Sequence, residues 1–223
     1  MSEIHRPIEA QTHLPERKPK HERLGLPPDQ AAEADISRKQ ELAATTTDAA
    51  ELAYLAKHRN LNIRILVARN PNTTPDVLTT LAKDKNTSVR CLVSVNPLTP
   101  ADALANLAED KEKYVRQGVS QNPMTPVELL HMLADDTDKD VRWFISINQN
   151  TSSETLVHLM WDQDDNVRNG VAFNPNTPAS VLPTLASDRE DFVRASVARN
   201  LNTPAATLER LTYANRIPPN LDI

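Results

Sequence analysis

Apolar positions recur along this chain with two spacings nested inside a period of 26 residues. Each period opens with an i, i+4 pair of β-branched residues, as in Val115 and Val119, which marks a short helix with one apolar stripe. A small residue follows every such pair (Ala68, Ser94, Ser120, Ser146, Ala172, Ala198), so close helix contact is predicted there. The second half of the period carries a leucine i, i+3 pair: Leu78 and Leu81, Leu104 and Leu107, Leu130 and Leu133, Leu156 and Leu159, Leu182 and Leu185, Leu208 and Leu211. This predicts a second short helix. Neither helix can bury its stripe alone, so the units must stack.

Polar positions keep the same beat. Arg64, Arg90, Arg116, Arg142, Arg168 and Arg194 stand 26 residues apart without one insertion or deletion. Asparagine lies six residues after each arginine and threonine nine after it. Aspartate lies twenty after it in five units, as Asp84, Asp110, Asp136, Asp162 and Asp188. Arg38, Thr47, Leu52 and Leu55 fall in the same register, so residues 38 to 63 read as a capping copy, and Ile217-Pro218-Pro219 stops the array. The predicted layout is a disordered tail over 1–36, a helical repeat domain over 37–219 with units beginning near 38, 64, 90, 116, 142, 168 and 194, and a short tail over 220–223. Strings such as Thr99-Pro100-Ala101-Asp102 predict the start of each second helix, with threonine as N-cap, proline at the first helical position and the acid reaching back.

The string from Val167 to Asp188, V-R-x-x-V-A-x-N-P-x-T-P-x-x-x-L-x-x-L-A-x-D, resembles the leucine-rich repeat variant family of helical solenoids. The resemblance covers roughly residues 38 to 217. It implies an all-α fold, a right-handed superhelix of alternating helices with no sheet. A cysteine-ligated iron–sulfur cluster occurs in one branch of that family, but Cys91 is the one cysteine here, so no such ligand set is present.

A net charge of −5 gives no general attraction for nucleic acid or anionic membrane. No apolar run is long enough to span a bilayer, and the first twenty residues lack the apolar segment of a secretory signal. A cytoplasmic setting is expected. Catalysis finds no foothold: the six histidines sit in no catalytic motif, and the three glycines form no phosphate loop. The D-x-D-x-D at 136 to 140 has Val141 where a calcium loop needs glycine, and reads as a solvated acidic edge. No cofactor, no metal and no enzymatic activity are expected.

Two readings of function follow. Strict recurrence of the arginines marks a stacking device, each paired with the aspartate six residues earlier. The alternative is a nucleic-acid binder using the arginine ladder as a phosphate track. Recognition is assigned instead to variable positions of the shorter, first helix, one and five residues after each arginine: Arg69, Val95, Gln117, Gln121, Trp143, Ile147, Asn169, Phe173 and Arg199. That strip, apolar and aromatic at its centre with arginine at its ends, suits a protein or peptide partner. The unit at 142–167 adds Trp143, Phe144 and Trp161. Self-association through the end repeats is a further expectation.

Overall fold

A computed structural model of the chain describes residues 27–214. The tail over 1–26 and the stop at Ile217 to Pro219 lie outside the described residues. Among the described residues there are fourteen helices and no strand. They are α1 (Pro28–Thr45), α2 (Ala49–Leu55), α3 (Leu61–Arg69), α4 (Pro75–Leu81), α5 (Thr87–Ser94), α6 (Ala101–Ala108), α7 (Lys113–Gln121), α8 (Val127–Leu133), α9 (Lys139–Ile147), α10 (Ser153–Leu159), α11 (Asp165–Phe173), α12 (Leu182–Leu185), α13 (Asp191–Arg199) and α14 (Ala205–Ala214). None is long and apolar enough to cross a membrane. Residues 28–36, expected in the tail, form the first half of α1: proline at the first turn followed by alanine-rich sequence favours a helix.

Odd-numbered helices from α3 onward are the first helices of the units, and each packs directly on the next, α3 on α5, α5 on α7, and so on to α13. This is the denser layer. Even-numbered helices form the second layer, more loosely joined to one another. The core runs between the layers. Its first-helix contribution is the β-branched pair (Ile63 and Val67 through Val193 and Val197, all fully buried), and its second-helix contribution is the leucine pair, except in α14, where Leu211 is buried but Leu208, expected with it, is exposed because no further unit covers it. In α12 Pro183, which no other unit has at that place, holds the helix to four residues, yet Leu182 and Leu185 stay in the core.

The threonine assignment needs correction. The N-cap of the second helix falls on Pro100 and Pro126, one residue later than expected, and no side-chain cap is made there. The buried hydroxyls of Thr73, Thr99, Thr125, Thr151, Thr177 and Thr203 turn the other way and donate at 2.5–2.6 Å to the carbonyl six residues back. That carbonyl lies in the last turn of the first helix and also accepts from the backbone N–H of the asparagine three residues on, so the threonine hydroxyl takes its second acceptor site and closes the loop between helices. Only in the 142–167 unit, where Ser152 replaces proline, does a hydroxyl cap the second helix, accepting from Thr155 N.

Candidate functional site

The solenoid has two rims. One is made by the loops between first and second helices, and the other by the turns from each second helix to the next first helix. The two differ in chemistry.

On the second rim the arginines are occupied. Arg64 Nε donates to Asp84 Oδ2 at 2.6 Å and its second terminal nitrogen to Oδ1 at 3.1 Å, while the third donates to the His58 and Arg59 carbonyls. The same fork joins Arg90 to Asp110, Arg116 to Asp136, Arg142 to Asp162 and Arg168 to Asp188. The carboxylate therefore comes from twenty residues later, not from six residues earlier as expected. The aspartate six residues earlier contributes its backbone carbonyl instead, as Asp84 does to Arg90 at 2.9 Å. Each aspartate thus serves two arginines, one by side chain and one by backbone, tying consecutive turns together.

These pairs are largely buried. Burial pushes the carboxyl groups of Asp84, Asp110 and Asp188 up, but the arginine hydrogen bonds, a backbone N–H two residues on and the guanidinium charge together hold them below the ordinary range. The hydrogen bonds that Arg90, Arg116, Arg142 and Arg168 donate to the aspartates raise their own pKa values further. The ladder changes at its ends. His58 stands at the aspartate position of the first unit and its Nδ1 accepts from Asn60 N at 3.0 Å; burial, then Lys39 and Arg59, lower its pKa, which keeps the ring neutral for that bond. Position 214 is alanine, and Arg194 turns to the Asp188 and Arg189 carbonyls and to Asp191.

Two further acids of this rim are also engaged. Asp138 accepts from Lys113 at 3.0 Å and caps α9, and Asp164 accepts from Lys139 at 3.0 Å and caps α11. Among the described residues no group of acidic, histidine or cysteine side chains could hold a metal ion. Burial pushes the Cys91 thiol up, away from the thiolate form. Trp161, 71% exposed, sits on this rim and not with the expected strip.

On the first rim the asparagine ladder fixes the backbone. Asn122 Nδ2 donates to the Ser94 and Asn96 carbonyls, both at 2.8 Å, and its Oδ1 accepts from Met124 N at 2.9 Å. Asn70, Asn174 and Asn200 make the equivalent bonds to the preceding unit. With its polar groups satisfied internally, the rim leaves the intervening side chains facing solvent.

The predicted strip divides in two. Residues five after the arginine form one row on this rim: Arg69, Val95, Gln121, Phe173 and Arg199 exposed, Ile147 half-buried. Residues one after the arginine are half-buried and engaged between units. Gln117 donates to Asp138 at 3.1 Å, Asn169 accepts from Ser196 at 2.7 Å, and Trp143 packs on the core and on Phe144, ring centroids 4.6 Å apart. Sequence reasoning missed the loop residues that extend the row, among them the exposed Leu98, Met124 and Leu201. They are readable as variable places within an otherwise fixed loop.

The architecture is that of an α-helical solenoid repeat protein, in which identical positions stack and varying ones face out. Residues 37–91 match the family described as Leucine Rich Repeat Variant domain, and the same 26-residue unit continues in register to Leu211, so the repeats of this helical solenoid are similar to those of that family. Comparison with curated protein sequences gives no match. Among solved structures, the chain is similar to a leucine-rich repeat variant with a novel repetitive motif, at 21% identity over 83% of this chain and 78% of that one, TM-score 0.41. It is also similar to YibA of E. coli, at 20% identity over 77% and 73%, TM-score 0.46.

Proposed function

We propose that this protein is a non-enzymatic scaffold that holds a segment of another protein along the first rim, across the row Arg69, Val95, Gln121, Ile147, Phe173 and Arg199. The observation that carries the reading is the row itself: one side chain per unit, at one place in the solenoid, five of them exposed, with Phe173 at 66%. An aromatic and aliphatic centre flanked by arginine is the composition of a binding hot spot.

The nucleic-acid reading is weaker because its cations are committed. Five of the six ladder guanidinium groups carry a forked bond to aspartate, and a phosphate would have to displace a carboxylate already held at 2.6–2.7 Å. The scaffold is read as a cytoplasmic protein, in keeping with its lone half-buried cysteine.

The test is site-specific photo-crosslinking in the native cell. A photoreactive residue at Phe173 or Val95 is expected to give a discrete adduct with a protein, and the same residue at Val157, exposed on a second helix, to give none. Adducts at Val157 as strong as those at Phe173, or nucleic acid captured in place of protein, would overturn the reading.

A further inference from the structure

Counting nineteen, twenty-one and twenty-four residues on from each of the arginines 38 to 168 gives three rows along the second rim, and every residue in them is exposed. Six turns carry these rows, over 57–62, 83–88, 109–114, 135–140, 161–166 and 187–192. Their charges are sorted. The first two turns hold the cations Lys57, Arg59, Lys83 and Lys85 and no acid, the third balances Glu109 with Lys111, and the fourth holds the acids Asp135 and Asp140 and no cation. The fifth has no charge in these rows but carries the exposed Trp161. In the sixth, Arg189 is engaged with Glu190 at 3.4 Å.

Among the described residues the four cations of the first two turns make no ion pair, and Asp135 meets His158 at 2.8 Å. The half-buried charges behind the rows keep the same order. Lys113 and Lys139 are taken by Asp138 and Asp164, while Glu112 adds an acid to the third turn and Asp165 one to the fifth. Beyond the first turn, the start of α1 adds the exposed Asp29, Glu33 and Arg38.

Packed helices lie about 8–10 Å apart, so Lys83 and Lys85 stand roughly 16–20 Å from Asp135 and Asp140, two turns away. That exceeds the reach of a side-chain pair and the screening length of about 8–10 Å at ordinary salt. These charges cannot answer each other within one chain. They do match a second copy turned end for end about an axis through the third turn. The second turn of each copy then faces the fourth of the other, cation to acid, and symmetry makes the contact twice. The first turn faces the fifth, which brings Lys57 and Arg59 to the indole of Trp161 and to Asp165. At the axis Glu109 faces Lys111 of the second copy, and the exposed rings of the two Tyr114 residues meet. Asp29 and Glu33 fall against the sixth turn, which carries Arg189.

We infer that the second rim is a docking surface for a second copy of this chain, in an antiparallel twofold dimer centred on the turn 109–114. A basic segment of some other protein would answer the fourth and fifth turns but leave the four cations of the first two unanswered; the second copy answers both. Exposed ion pairs contribute little singly, so the charges set orientation and register, while Trp161 and Tyr114 supply apolar contact. Such a dimer leaves both first rims uncovered, and neither reading depends on the other.

The test is sedimentation velocity of the full chain over a concentration series, at about 50 and 500 mM salt. A dimer is expected at low salt, with a dissociation constant that rises at least about tenfold at high salt. Lys83→Glu with Lys85→Glu should leave a monomer, and so should Asp135→Lys with Asp140→Lys, since either change makes the second and fourth turns alike in sign. An equal mixture of the two reversed chains should dimerise again, because each supplies the sign that the other lacks. Trp161→Ala should weaken the unaltered dimer severalfold. Circular dichroism checks that each variant folds. Should a reversed chain fail to fold, carbodiimide crosslinking of the unaltered chain mixed with an isotope-labelled copy reads the same contact, with Lys83 or Lys85 of one copy joined to Asp135 or Asp140 of the other. A chain that stays monomeric at low salt, a dimer that ignores both reversals, reversed chains that do not pair with each other, or crosslinks without that contact overturn the inference. Capture of a different protein, in place of a second copy, by a photoreactive residue at Trp161 overturns it as well. The first-rim reading is decided separately, by its own crosslinking at Phe173.

Discussion

The guanidinium of Arg116 meets the carboxylate of Asp136 through two parallel hydrogen bonds of 2.6 and 2.9 Å, while its remaining nitrogen reaches back to the Asp110 carbonyl at 2.8 Å. One side chain thereby joins the turn before its own helix to the turn after the next. Removing one member strands the other in a largely buried place. Asp136→Ala is expected to lower the unfolding free energy by about 3–5 kcal/mol, measured by urea denaturation, and Arg116→Ala by a similar amount.

Acid should loosen the ladder. The folded-state pKa values of Asp84, Asp110 and Asp188 lie below their unfolded values, so their contribution is complete above about pH 4 and is lost as pH falls through the lowered values. Thermal unfolding followed by circular dichroism should give a midpoint that is flat from neutral pH to roughly pH 5 and falls steeply below about pH 4. Asp110→Asn, already uncharged, should show a lower midpoint at neutral pH and a shallower acid slope.

The asparagine rung makes a sharper test of polarity. Asn122 is buried, donates to two carbonyls and accepts from one N–H. Asn122→Ala should cost about 2–3 kcal/mol. Asn122→Asp should cost more at neutral pH, since a carboxylate would face two carbonyl oxygens with nothing to donate.

Where α7 packs on α5, geometry alone sets the expectation. Gly118→Ala brings a Cβ to 1.8 Å from Ser94 Oγ, so helices α5 and α7 must separate, at about 1–3 kcal/mol. Ser94→Ala in the same chain should recover part of the loss, because the nearest atom is removed while Ser94 Cβ, at 2.9 Å, remains.

Much of this was legible in the sequence because one register repeats six times. The period placed both helices of each unit and named the buried valine and leucine pairs. It could not say which aspartate an arginine would take: Asp84 is at once twenty residues after Arg64 and six before Arg90, and both relations have the same period. The fold uses both, one through the carboxylate and one through the backbone. Threonine misled for a similar reason, since Thr99 stands beside two helix ends, and its hydroxyl serves the one that has just finished. The aromatics of the 142–167 unit looked like one patch along the chain, but the turn of the solenoid sends Trp161 to one rim, leaves Phe144 on the other and half-buries Trp143.

The account rests on a division of labour: positions shared by every unit hold the stack together, and positions that differ along the first rim recognise a partner. Replacing a whole rung by apolar residues, Arg116→Met together with Asp136→Leu, removes the ladder's charge without stranding either member. The affinity of this variant for the partner crosslinked through Phe173, measured beside its circular dichroism, decides the matter. The division predicts a native spectrum and an affinity unchanged within about twofold; a native spectrum with binding abolished would contradict it and return the ladder to the binding site.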